Sequence, residues 1–244
     1  MIEKKLDIKT ADGTAEAILY APDSGKHPGL LFYTDLFGIR PANQGMAKRV
    51  AESGYVVLMP NVFYRCGKPP FDSNFKWGEP ESMKLVNALF QSLTGAMMEQ
   101  DIPHYVKTLL GQPNVSGAKI AVVGYCYTGA MALRTAAVCA DRIAAAASFH
   151  GGQLVTDAPD SPHTRIPRVK GDLYFGHAVE DQSMPPEAIE TLNATLKRWG
   201  GAYQSEVYEG ARHGWTVPGR DVYDEKQADR HYQKLFDLMQ RTLK

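Results

Sequence analysis

The stretch Gly124-Tyr125-Cys126-Tyr127-Thr128-Gly129 follows an apolar run at 120–123 and precedes Ala130-Met131-Ala132-Leu133, which has helical character. A cysteine in such a strand-to-helix turn is presented at a helix N-terminus. There the dipole favours a thiolate, and the next backbone N–H can receive an oxyanion. The turn is tight, so small residues are needed two positions before the nucleophile and two or three after it. Gly124, Thr128 and Gly129 meet that need. The plainer reading is a small buried cysteine in an ordinary turn. The two readings diverge in what should follow along the chain.

A cysteine nucleophile needs a histidine to take and return a proton, and an acid to hold the imidazole in its productive tautomer. In doubly wound sheets built for this chemistry the order is nucleophile, acid, histidine, each on a loop beyond a strand's C-terminal end. His150, His163, His177, His213 and His231 follow Cys126. His213 sits after the last expected strand and before the C-terminal helix, the address required of the base. His231 lies in a charged helical pattern at 226–235 and is expected to be solvated. His163 sits in a polar loop with no strand leading to it. His150 and His177 each end a strand, so each either lines the pocket or is a structural loop histidine, and neither is assigned a catalytic role.

For the acid, the segment 176–185 offers Glu180 and Asp181 between a strand and a helix. Asp181 is preferred because a proline four residues on suits a loop that turns toward the histidine, and Glu180 is the second choice.

Composition narrows the class further. The 244 residues suit one α/β domain, with 44% hydrophobic and 22% charged residues, near the average for globular chains. Lys+Arg and Asp+Glu both number 27, for a formal net charge of +0, so no basic surplus suggests nucleic acid. No apolar run approaches a membrane span, and the N-terminal residues lack the apolar core of a secretory signal. The three cysteines lack metal-ligand or CxxC spacing, so no metal or cofactor is expected and a reduced, cytoplasmic setting is the default. Oligomeric state is left open.

The elements that must position these residues are legible as short β-branched or aliphatic runs. Strands are expected at 6–9, 15–20, 29–33, 55–59, 119–124, 145–149, 173–176 and 203–208. Asp12-Gly13 between the first two signals an antiparallel hairpin. Helical patterns at 42–53, across a pair spanning 80–110, and at 128–139, 186–199 and 221–244 alternate with the later strands. That alternation implies crossover units and a mostly parallel sheet with helices on both faces. The irregular stretch 62–80, with Pro69-Pro70 and Gly78-Glu79-Pro80, is long enough to serve as a lid over a site.

Four separated segments together carry a family likeness: Tyr33-Thr34-Asp35-Leu36-Phe37-Gly38, the turn at 124–129, the acid loop at 176–185, and 208–213. From about residue 28 onward the chain resembles the dienelactone hydrolase family, the cysteine branch of the α/β-hydrolase fold. The resemblance implies a sheet of about eight strands and a hydrolase of small esters or lactones, working without cofactor through a thioacyl-enzyme. It matches Cys126, Asp181 and His213 to the family triad, and the backbone N–H groups of Leu36 and Tyr127 to the oxyanion donors. Asp35 stands where the family usually has Glu, a carboxylate implied to engage the resting thiol; the alternative is a plain surface carboxylate. Family arginines bind the substrate carboxylate, one of them shortly after the histidine. Here Arg220 comes several residues later, and spacing leaves open whether it reaches the pocket. Tyr125, Tyr127, Trp215 and the aromatics Phe63, Tyr64, Phe71, Phe75 and Trp77 are candidates for apolar pocket walls, or for packing of the 62–80 loop. A second reading is a hydrolase scaffold that binds a ligand without effective turnover. A third, redox sensing, is disfavoured because Cys139 lies more than about three turns along the helix that Cys126 opens.

Overall fold

The computed structural model describes residues 1–73 and 75–243. Asn74, inside the 62–80 stretch, and Lys244, at the end of the expected C-terminal helix, lie outside them. Eight strands form one sheet: β1 (Ile2–Lys9), β2 (Thr14–Ala21), β3 (His27–Tyr33), β4 (Val56–Pro60), β5 (Val115–Tyr125), β6 (Ile143–Phe149), β7 (Asp172–His177) and β8 (Tyr203–Val207). Their order across the sheet is β1-β2-β4-β3-β5-β6-β7-β8. The hairpin β1/β2 is antiparallel, as is β2 against β4, and every later pairing is parallel. All expected strands are present; β5 begins four residues before the expected start at 119, because its first half carries the largely exposed residues 116–119.

Among the described residues six α-helices cover the sheet: α1 (Pro41–Glu52), α2 (Pro80–Ser92), α3 (Gly95–Leu110), α4 (Thr128–Val138), α5 (Pro186–Trp199) and α6 (Glu225–Thr242). Their starts are chemically marked. Pro41, Pro80 and Pro186 stand in the first turn, where a missing N–H costs nothing. Thr94 and Asp224 cap α3 and α6 by accepting from the N–H groups of Met97 and Gln227. Helix α5 stops at Gly200, whose φ of 73° is left-handed. The 3₁₀ turn Pro162–Arg168 has no counterpart among the expected elements, since a short turn with two prolines shows no helical periodicity.

The central strands are buried on both faces, and the period of two divides them between two cores. Ile120 and Val122 of β5 point to the side covered by α2, α3, α4 and α5. Ala121, Val123 and Tyr125 point to the side covered by α1 and α6, among Met46, Val50, Leu235 and Leu238. No described helix is long and apolar enough to cross a membrane.

Candidate active site

Five neighbouring parallel strands, β3, β5, β6, β7 and β8, deliver loops to one edge of the sheet. Those loops carry Asp35 and Leu36, Cys126, His150, Asp181 and His213 respectively. In open α/β sheets this C-terminal edge is where a crevice forms. Here it is a pocket of about 730 Å³ lined by all of these residues.

The turn at Cys126 is as tight as its glycines suggest. Cys126 has φ 58°, in the left-handed region, so the thiol stands out from a strained corner between β5 and α4. A Cβ on Gly124 would fall 2.2 Å from the Thr128 carbonyl, and one on Gly129 2.3 Å from Ser148 Oγ, so neither site accepts a side chain. Thr128 does more than stay small. Its hydroxyl accepts from the Tyr125 N–H at 3.1 Å and donates to the Thr34 carbonyl at 2.7 Å, binding the corner to the loop that carries Leu36. The N–H groups of Leu36 and Tyr127 take no part in the loop and cap hydrogen bonds of the described residues, and both residues line the pocket. The Cys126 N–H is instead occupied, by the Phe149 carbonyl and His150 Nδ1.

Opposite the thiol, His213 Nδ1 lies 2.6 Å from Asp181 Oδ2. Asp181 is 8% exposed, and its other oxygen accepts from the Ser183 N–H and hydroxyl at 2.9 and 2.6 Å. Burial pushes its pKa up, but the bonds to His213 and Ser183 outweigh burial and hold it below the usual carboxylate range. For His213 burial works against the imidazolium, yet the neighbouring Cys126 sulfur and the Asp181 carboxylate overcome it and raise the pKa to about 10. Glu180 is exposed, with φ 51°, and it is Asp181 that bonds the histidine.

Asp35 lines the pocket at 6% exposure, buried rather than on the surface. Both of its oxygens are bound by Arg40, at 2.5 and 2.6 Å, and Oδ1 also accepts from the Phe37 N–H. Arg40 is itself held by Asn43 Oδ1 at 2.6 Å and by Asp72 at 3.1 Å. Burial opposes its charge, but Asp35 and Asp72 raise its pKa nonetheless. Nothing in the spacing of Asp35 and Arg40 announced this pair.

Two candidates for the pocket wall are elsewhere. Tyr125 projects to the α1/α6 side of the sheet, fully buried against Phe32 and Phe149, with its hydroxyl 3.2 Å from His231 Nε2. The alternation that points Cys126 into the pocket turns its neighbour away. Trp215 is also fully buried, stacked on Tyr208 at 4.8 Å and inclined at 73° to the His150 ring, and lies outside the pocket lining. Of the other aromatics, Tyr127, Phe75 and Trp77 reach the pocket, joined by Phe37 and Phe90; Phe63, Tyr64 and Phe71 instead pack the 62–80 stretch onto the core on the α2 to α5 side of the sheet. Arg220 does reach it, with its guanidinium 4.7 Å over the Phe37 ring.

His231 is not solvated: it is fully buried on α6, bonded to Tyr125 and the Ala228 carbonyl, and burial lowers its pKa to about 3. His177 is likewise buried and outside the pocket, bonded to Ser205 Oγ at 3.1 Å, and burial lowers its pKa to about 4. Among the described residues no cluster of three or more His, Cys, Asp or Glu is placed to hold a metal ion.

A mostly parallel eight-stranded sheet with an antiparallel hairpin, helices on both faces and a thiol corner at its C-terminal edge is an α/β-hydrolase fold. The chain belongs to the dienelactone hydrolase family, whose model matches residues 15–243. It is 26% identical over 223 residues to a carboxymethylenebutenolidase-like protein of Synechocystis sp., covering 90% of this chain and 88% of that one. A dienelactone hydrolase-like structure from Klebsiella pneumoniae superposes with a TM-score of 0.85 at 19% identity, covering 97% of each chain. A dienelactone hydrolase-like promiscuous phosphotriesterase from metagenomic libraries gives 0.80 at 21% identity, over 99% of this chain and 98% of that one. Membership makes the chain a hydrolase.

Proposed function

We propose that the chain hydrolyses small esters or lactones through a thioacyl-enzyme, with Cys126 as nucleophile, His213 as base and then acid, and Asp181 as its orienting carboxylate. The observation that carries this reading is the line from the Asp181 carboxylate through His213 to the Cys126 corner, all within one pocket. Transfer of the thiol proton to His213 leaves an ion pair, and the thiolate attacks the carbonyl carbon. The charge on the carbonyl oxygen is received by the Leu36 and Tyr127 N–H groups, which have no competing loop or cap acceptor among the described residues. Collapse breaks the bond to the leaving oxygen, which takes the proton from His213. The freed imidazole then removes a proton from water as it attacks the thioester, and the acid departs with regeneration of the thiol.

Phe37, Phe75, Trp77 and Phe90 favour an acyl group with a flat or apolar body, and Arg220 favours one carrying negative charge. The 62–80 stretch supplies Phe75, Lys76 and Trp77 to the outer wall, which supports its reading as a lid on a single catalytic domain.

Hydrolysis of dienelactone, aryl esters and thioesters should fall by about 10⁴-fold or more in Cys126→Ala, with the melting transition preserved. Turnover of any of these by that variant at the parent rate overturns the nucleophile assignment.

A further inference from the structure

His150 is 1% exposed and φ 39°, yet it belongs to none of the three roles above. Its two ring nitrogens join two loops. Nδ1 lies 3.1 Å from the Cys126 N–H, which also approaches the Phe149 carbonyl at 3.2 Å. Nε2 lies 2.8 Å from the hydroxyl of Thr216, three residues beyond His213. A backbone N–H can only donate, so Nδ1 must be bare and the ring proton must sit on Nε2, which donates to Thr216 Oγ1. The same loop takes a second hold on the corner, since the Gly152 N–H donates to the Cys126 carbonyl at 3.2 Å. The His150 ring stands edge-on to His213 and Trp215, with centroids 5.2 and 5.0 Å away. Burial above all, and then the neighbouring His213, holds its pKa well below the ordinary histidine range, so the ring stays neutral.

We propose that His150, as its Nε2–H tautomer, is a positioning residue that clamps the nucleophile's backbone to the loop bearing the base. It acts through Cys126 and His213, so the inference rests on the roles proposed for them. The imidazole suits this task because it offers an acceptor and a donor on opposite sides of one rigid ring. Without it the hydrogen-bonded links between the two loops run the long way round, through Gly152 and the Gln153 N–H to the Ser183 carbonyl and from the Val179 N–H to the Ala211 carbonyl, and the distance from sulfur to imidazole is less tightly held. A displacement of about 1 Å between reacting groups can cost about 100-fold in rate.

Three substitutions and one spectrum test the clamp. His150→Phe fills the volume and makes neither bond; His150→Asn keeps an acceptor near the place of Nδ1; Thr216→Val removes only the partner of Nε2. Single-turnover acylation by p-nitrophenyl acetate should fall about 100-fold in His150→Phe with KM little changed, and His150→Asn should recover about tenfold of that loss. Thr216→Val should fall by about tenfold. Should His150→Phe fail to fold, His150→Asn and Thr216→Val are each judged against the parent. In ¹⁵N-histidine spectra of the parent protein, the His150 resonances should show a bare Nδ1 and a protonated Nε2. Parent-like acylation in His150→Phe or Thr216→Val, an Asn variant no faster than a folded Phe variant, or a ring proton on Nδ1 would overturn the proposal. The tautomer is read without turnover, and the spectrum of Cys126→Ala should keep it. Failure of the nucleophile assignment would show as hydrolysis by Cys126→Ala and would leave the tautomer in place, so the two failures are distinct.

Discussion

Two buried carboxylates face the same pocket and meet opposite fates. Asp181 is bonded to an imidazole, a group that changes charge near neutral pH, while Asp35 is gripped by both terminal nitrogens of a guanidinium that does not. Both are under a tenth exposed, so burial alone does not distinguish them. The partner does. A carboxylate paired with a titrating ring can follow a proton through a reaction cycle. One paired with a fixed cation, itself braced by Asn43 and Asp72, can hold a loop in shape. In this chain the shorter acid at position 35 is reached by an arginine five residues on, and the pair anchors the loop between β3 and α1.

The sharpest way to break the contrast is to neutralise each acid in turn. Asp181→Asn should lower kcat by about 10³- to 10⁴-fold while leaving the fold intact, because the amide favours the wrong histidine tautomer. Steady-state kinetics with an aryl ester give the answer, and a loss under tenfold would place the orienting role elsewhere. Cutting the other pair should register first in stability. Arg40→Met leaves Asp35 buried and unpaired, which should cost about 3–5 kcal/mol in urea unfolding. If that variant unfolds at the parent midpoint, the pair is not the anchor described here.

The line from Cys126 to His213 was legible because steric and topological rules constrain it. Glycine at 124 and 129 is required by contacts under 2.4 Å, and the order of thiol, acid and histidine follows from the strand order. What lay outside the reach of pattern depends on side-chain direction. Tyr125 and Trp215 are aromatic and lie one and two residues from Cys126 and His213, but the second half of β5 is buried on both faces, so hydrophobicity carries no trace of which way Tyr125 points. His231 was misread for a related reason. Its charged neighbours suggested solvent, whereas the buried set Ala228, His231, Tyr232, Leu235, Leu238 and Met239 repeats at helical spacing and would have placed it inside. The Asp35–Arg40 pair, the Ser183 bonds to Asp181 and the Thr128 bridge are local polar contacts between residues two to five apart or between loops, and no composition rule reports them.

A subtler probe asks how the pairing of Asp181 tunes its histidine. The His213 pKa of about 10 exceeds its unfolded value near 6.5, so the interactions behind it favour the folded imidazolium. On the histidine's own account that stabilisation is complete below about pH 6.5 and disappears as pH climbs through about 10. An NMR titration of the His213 ring should therefore give a midpoint far above that of free histidine. In Cys126→Ala the midpoint should drop, since the sulfur is the first of the groups raising it, and in Asp181→Asn it should drop for want of the carboxylate. An unmoved midpoint in Cys126→Ala would mean that the sulfur and the ring do not share a proton.

The smallest effect belongs to Ser183. Its N–H and hydroxyl both bond Asp181 Oδ1, leaving Oδ2 for His213, so Ser183→Ala removes one of the two bonds and keeps the other. The expected cost is about 0.5–1.5 kcal/mol, or a fall in kcat of a few-fold up to about tenfold, with KM unchanged. The same deletion should also lower the His213 midpoint slightly, since the hydroxyl helps hold the ring in place by fixing the carboxylate. No equivalent brace could matter at Asp35, where Arg40 already spans both oxygens; Asn43→Ala, which strips a ligand from Arg40 instead, should weaken stability without shifting that midpoint. A shift in Asn43→Ala comparable to that in Ser183→Ala would show that the two carboxylates are electrostatically one system, and the contrast between them would fail.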